Sequence, residues 1–231
     1  MRIFAATGIA LLLAGCAGSG VPLSDRERYD RVMGAPVANP SAIVQAELAF
    51  ARLAQEKGQW TAFRETAAPD AVMFVPQRVN ARDWLKTQKD PAEAVRWQPH
   101  KVFVSCDGNS GVTTGAWQKG PAQGFFTTVW SRDPMKGDMR WLLDSGDALA
   151  TPRAAPDFIE SKQATCTGKP GATVTAAAEG DDMMVGMSRD QTLNWTSVVR
   201  PDGSRSITVR LWDGHEMTTV IDDRIAAPKQ P

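Results

Sequence analysis

The chain has 231 residues, 26 basic against 26 acidic side chains, 42% hydrophobic residues and three cysteines. A net charge of zero supplies no basic stripe for a nucleic-acid backbone and no acidic tail for a cationic partner, so nucleic acid is excluded as a partner class. The length allows one domain with an extension or two small ones, and eight Trp against one Tyr leave only Tyr29 for chemistry that needs a tyrosyl proton.

Residues 1–15 begin Met1-Arg2 and continue with an apolar run from Ile3 to Leu13, too short for a permanent bilayer-crossing helix and therefore a processing signal. The ending Leu13-Ala14-Gly15-Cys16 resembles the lipobox of bacterial lipoproteins. That resemblance implies acylation of Cys16 (thioether diacylglycerol, then an amide-linked chain such as palmitate), cleavage before it, and a membrane partner reached through lipid. Two or three acyl chains hold a protein durably where one does not. Ala17 after the lipid cysteine, in place of Asp, resembles outer-membrane sorting, which implies the periplasmic face of the outer membrane. Residues 16–39, rich in Gly, Pro, Ser and charge, read as a lipidated tether that contains Tyr29.

The remaining cysteines, Cys106 and Cys166, are an even pair in an exported chain, and a disulfide is predicted between them. Neither belongs to a Cys-x-x-Cys pair, and with only His100 and His215 available no zinc-ligand spacing exists.

Asn39-Pro40-Ser41 precedes a stretch in which Ile43, Leu48, Phe50 and Leu53 fit an amphipathic helix ending at Gly58. A second helix runs through Trp60 and Phe63 to about Ala68, a strand-like AVMFVP run follows Pro69-Asp70, and Asn80 caps a third helix through Trp84. After Pro99 come four strand-like runs, HKVFVSCD, GVTTGAWQKG, GFFTTVWSRD and DMRWLLDSGDA, bounded by turn residues. The order predicts an α+β fold in which a cone-shaped, curved antiparallel sheet wraps around the N-terminal helices and leaves a pocket. Residues 150–163 read as a proline-containing connector. In 164–225, Pro201-Asp202-Gly203 and Asp213-Gly214 separate three alternating runs, predicting a three-stranded β-meander, and 226–231 is read as a disordered tail.

Residues 40–149 resemble the SnoaL-like branch of the nuclear transport factor 2-like superfamily. The residues that carry this are Glu47-x-x-Phe50-Ala51, Gly58-Gln59-Trp60-x-Ala62-Phe63, Asp70-Ala71-Val72-x-Phe74-x-Pro76, Thr113-Thr114-Gly115-x-Trp117, Thr128-Val129-Trp130 and Trp141-x-x-x-Ser145-Gly146-Asp147. The resemblance implies a cone fold, a homodimer formed through the sheet, and a pocket that different members use for isomerisation, cyclisation, hydrolysis or binding alone. Fold does not choose among these.

The sequence offers little catalytic pattern. A ketosteroid-type isomerase needs a Tyr and a protonated Asp beside its base, and the sole Tyr lies in the tether. No Gly-x-Ser-x-Gly elbow or phosphate-binding loop occurs. Met183, Met184 and Met187 form a loose thioether cluster better read as core filling than as a soft-metal site. No metal or cofactor is expected. Phe63, Phe74, Trp84, Trp97, Trp117 and Trp130, with Asp144 on the last strand of the cone, are the predicted ligand pocket. The leading reading is a lipid-anchored envelope protein that binds a small apolar ligand or a partner protein without turnover. The alternative is an enzyme on an apolar substrate with Asp144 as general base.

Overall fold

A computed structural model describes residues 38–168, 170, 171 and 176–228. The signal segment, Cys16, Tyr29 and the tether up to residue 37 lie outside the described residues, as do 229–231 of the tail.

Helix α1 (Pro40–Lys57) starts where Asn39 accepts a hydrogen bond from the Ser41 amide at 2.9 Å and Pro40 pre-sets the first turn. It buries Ile43, Glu47, Phe50 and Ala54, a single stripe with one carboxylate in it. Gly58, at φ 107°, turns the chain into α2 (Gln59–Thr66). A Cβ at Gly58 would stand 2.4 Å from the Asp90 carboxyl carbon. That close approach lets Asp90, from a loop, hold the first turn of α2 through the Thr61 amide (2.9 Å) and hydroxyl (2.6 Å). Helix α3 (Ala81–Leu85) follows, capped by Asn80.

Among the described residues eleven strands make two sheets. Sheet A holds β1 (Ala67–Phe74), β2 (Arg78–Asn80), β3 (Arg96–Val104), β4 (Ser110–Lys119), β5 (Ala122–Arg132), β6 (Met139–Ala148) and β7 (Glu160–Gln163), in the order β2-β1-β6-β5-β4-β3-β7. Sheet B holds β8 (Asp182–Met187), β9 (Leu193–Val199), β10 (Arg205–Trp212) and β11 (Met217–Ile225), in the order β11-β10-β9-β8. The α+β reading stands, with three corrections. Sheet A is mixed, because β1 runs parallel to β6 and β7 parallel to β3. The connector 150–163 contains β7, whose Glu-Ser-Lys-Gln sequence carries no strand signal and which forms by backbone pairing with the β3 edge. The C-terminal extension has four strands, because the methionine run is itself an edge strand paired with β9.

Two cores lie on opposite faces of sheet A. On the inner face Val102, Val104, Trp130 and Trp141 meet Ile43, Phe50, Ala54 and Phe63 of the helices. On the outer face Phe103, Val112, Val129 and Leu143 meet Leu193, Trp195, Ile207, Val209, Leu211, Trp212 and Ile221 of sheet B. The layers are therefore helices, sheet A, sheet B. The Cys106–Cys166 disulfide, across a separation of 60 residues, fastens the β3–β4 turn to the segment that follows β7. Beside it the Cys106 amide donates to Thr192 Oγ1 (2.8 Å) and the Asp107 amide to Asp190 Oδ2 (2.7 Å), both on the sheet B side. Arg78, its side chain only 12% exposed, reaches from β2 to Asp182 at 2.7 Å and to the Ser197 carbonyl. Gly186 lets the Trp195 ring pack onto β8, since a Cβ there would sit 2.4 Å from that ring.

Candidate functional site

A cavity of about 360 Å³ lies between the helices and the inner face of sheet A. Five aromatic rings line it: Phe50 from α1, Phe63 from α2, Trp97 from β3, Trp117 from β4 and Phe126 from β5. They arrive there by strand parity, because alternate residues of each strand face the helices. Phe50 packs edge-on against Phe63 (4.7 Å between centroids) and Trp97 (4.8 Å), so successive walls meet at steep angles. Trp117 lies over Gly124, where a Cβ would come within 2.4 Å of the indole.

Two carboxylates, Asp144 and Asp147, line the cavity; Asp147 accepts the Ala148 amide at 2.8 Å, and Asp144 is the one buried in the wall. Strand β6 runs between β1 and β5, placing Asp144 opposite Met73 and Thr128. The Thr128 hydroxyl donates to Asp144 Oδ2 at 2.8 Å. Burial pushes the Asp144 carboxyl up to about 7, the Thr128 hydrogen bond opposes that rise, and the negative charge of Glu47 adds to it.

Glu47 stands behind the wall. It is fully buried and accepts from Trp97 Nε1 (2.6 Å) on one oxygen, and from Thr113 Oγ1 (2.5 Å) and Trp130 Nε1 (3.0 Å) on the other. Burial raises its pKa, and the donors from Thr113, Trp97 and Trp130 offset part of that rise. Glu47 thus fixes the ring plane of Trp97, which is itself a wall of the cavity.

Gln59 adds an oriented amide. Its Oε1 accepts the Val95 N–H at 3.1 Å, so the Nε2 donors are left for the cavity, with no partner among the described residues. A proton acceptor that titrates near neutrality and a fixed N–H donor in an apolar pocket can bind a polar handle on an apolar molecule, and can move a proton to or from one.

Phe63, Trp97, Trp117 and Asp144 of the predicted pocket are brought together here. Three others are not. Phe74 packs with the outer-face core under the Arg205 guanidinium, 5.3 Å from its ring, because its strand parity points away from the helices. Trp84 stacks edge-on against Trp60 at 5.2 Å on the outside of the helical layer. Trp130 is 1% exposed and spent on Glu47. The sequence reading omitted Phe50, Gln59, Val95, Phe126 and the Glu47 support. A signal for Glu47 was present: a carboxylate four residues after Ile43 and three before Phe50 occupies a core-facing position of α1.

Both histidines sit apart from this cavity. His100 is 8% exposed at the β3 bulge after Pro99, and burial lowers its pKa, as does the nearby positive charge of Arg153. His215 lies in the β10–β11 turn. Met183 and Met187 are four residues apart on one strand, about 13 Å at strand rise, with Met184 on the opposite face, so they form no chelate. Among the described residues no group of three or more His, Cys, Asp or Glu is placed to hold a metal ion. Nor is any helix among them long and apolar enough to cross a membrane.

Several solved structures are similar to part of this chain. An NTF2-like protein with a cystatin-like fold from Novosphingobium aromaticivorans is 14% identical, over 58% of this chain and 94% of its own, with a TM-score of 0.38. A cystatin-like fold protein from Burkholderia xenovorans is 13% identical over 49% of this chain and 93% of its own, with a TM-score of 0.39. An LEH-like epoxide hydrolase from M. tuberculosis is 20% identical over 46% of this chain and 79% of its own, with a TM-score of 0.33. No protein-family model and no curated protein sequence matches the chain.

Proposed function

We propose that this chain is a lipid-anchored protein of the bacterial cell envelope whose SnoaL-like cone holds a small, largely apolar molecule with one polar handle. The observation that carries the reading is the 360 Å³ cavity walled by five aromatic rings with Asp144 and Gln59 as its oriented polar groups. Apolar concavities with a few convergent polar groups are the usual form of a small-molecule site. Native mass spectrometry of the protein purified from its own envelope tests this. A retained small-molecule mass that disappears in Trp117→Ala supports the reading, and a protein that neither retains nor takes up any small molecule overturns it. The anchor is tested by the mass of the mature N-terminus, which acylation at Cys16 requires to carry its lipid increment.

A second reading, turnover of the bound molecule with Asp144 as general base, is favoured by its carboxyl titrating near 7 with one oxygen free of protein donors. Asp144→Asn separates the two. In an enzyme this variant keeps the ligand and loses conversion; in a pure binding protein the ligand is recovered unchanged from both forms.

A further inference from the structure

The pocket reading leaves the charge of the ligand open. Resting on that reading, we propose that the cone cavity takes an organic cation: an ammonium group carried on a flat apolar body, its charge set among the aromatic walls and against Asp144.

Phe50, Phe63, Trp97, Trp117 and Phe126 line the cavity, and Phe50, Phe63 and Trp97 stand at 64°, 68° and 67° to one another, so a guest among them cannot meet every ring by its edge alone. The face of an aromatic ring is the negative end of its quadrupole, and a cation held among several faces is attracted by each. A neutral apolar guest gains no such term.

Charge balance points the same way. Asp144 and Glu47 lie inside the cone close enough for the charge of one to act on the other, and Asp147, which also lines the cavity, has the positive charge of Arg205 near it. Among the described residues no lysine, arginine or histidine lines the cavity. Three arginines of the surrounding elements are committed elsewhere. Arg64 binds the Leu85 and Gln88 carbonyls and lies 3.9 Å from Asp90. Arg82 binds the Ala67 carbonyl. Arg205 binds the Gly146 carbonyl from the sheet B side. Buried carboxylates are ordinarily paired with a cation or satisfied by donors. Glu47 has three donors, whereas Asp144 has the Thr128 hydroxyl alone, and its second oxygen faces open cavity. A bound ammonium supplies the missing positive charge.

A pH dependence follows. The charged group facing Asp144 from the helical layer is Glu47, and from β5 it meets the neutral Thr128 hydroxyl. An ammonium ligand requires the ionised form of Asp144, so binding expels its proton. With a carboxyl titrating near 7, the ionised fraction grows about tenfold from pH 6 to pH 8, and affinity grows with it.

The test uses the purified protein with phenyltrimethylammonium and its uncharged carbon isostere tert-butylbenzene, read by tryptophan fluorescence and calorimetry at pH 6 and pH 8. The expected result is at least tenfold tighter binding of the ammonium than of the isostere at pH 8. The ammonium alone should strengthen with pH, and Asp144→Asn should abolish that pH dependence and reduce the preference for the ammonium while still taking the isostere. The wild-type comparison stands by itself should that variant fail to fold. Equal affinity for the two probes, or an ammonium affinity that does not rise with pH, overturns the cation inference and leaves an apolar pocket. Binding of neither probe overturns the pocket reading as well.

Discussion

Replacing Asp144 by Asn should stabilise the protein at neutral and alkaline pH, and not at acid pH. The folded state raises this carboxyl from 3.8 to about 7. Between those values the folded chain therefore binds a proton that the unfolded chain has released, and stability falls as pH rises through the interval. Three pKa units at about 1.4 kcal/mol each give roughly 4 kcal/mol, fully present as a penalty above pH 7 and gone below about pH 4. This is an upper bound, because the oxygen facing the cavity meets water there. Asn cannot ionise and keeps an oxygen for the Thr128 hydroxyl, so the variant sheds the penalty at small local cost. Denaturant unfolding of both forms at pH 4, 6 and 8 measures it. The variant-minus-parent difference should widen with pH by up to about 1.4 kcal/mol per unit between pH 4 and pH 7 and level off above that. A difference that stays flat across that range would refute the buried-carboxylate reasoning, whatever the ligand proves to be.

Other outcomes follow from the same geometry. Glu47→Leu orphans the Trp97 indole N–H and leaves Trp130 and Thr113 only their bonds to Thr113 Oγ1 (3.1 Å) and the Thr128 carbonyl (3.4 Å), at a cost of about 1–3 kcal/mol, and the freed Trp97 should shift the fluorescence maximum. Opening the Cys106–Cys166 bond, which spans 60 residues, should cost about 4 kcal/mol by loop-closure entropy, read as a lower denaturant midpoint in Cys106→Ser/Cys166→Ser. Leu211→Ala, in the core between the sheets, should cost about 2–5 kcal/mol in the same assay. Gly186→Ala drives a methyl into the Trp195 ring and should cost about 1–3 kcal/mol, while an alanine at exposed Gly120, itself at φ 53°, should cost far less than the Trp195 clash implies.

The legible parts of the fold were those with strong local chemistry. Asn39-Pro40 and Asn80 are side-chain caps, Gly58 is a stop, and Asp202-Gly203 and Asp213-Gly214 mark turns; each signal is confined to a few residues. Strands β7 and β8 were not legible, because their stability comes from pairing with β3 and β9 rather than from their own side chains. The site divides the same way. Aromatic content announced a pocket, but which rings face it depends on strand parity, and the bulges at Val129/Trp130 and Pro99/Lys101 reset that parity in β5–β6 and β3–β4. Phe74 lies on the other side by simple alternation along β1, with Met73 in the inner core and Val72 and Phe74 against the outer one. Gln59 needed the position of Val95, 36 residues away, before its amide acquired a direction.

The outer face of sheet A has a consequence for how the chain is made. Its apolar residues Phe103, Val112, Val129 and Leu143 precede the first residue of β9, Leu193, by 50 residues or more. At roughly 5–20 residues per second of synthesis, that interval leaves the face uncovered for about 3 to 10 s after the cone itself could close. A nascent chain in that interval presents a bare sheet face to other copies and to chaperones. Substitutions in sheet B that slow its docking should therefore lower the yield of folded protein before they lower the stability of the molecules that succeed.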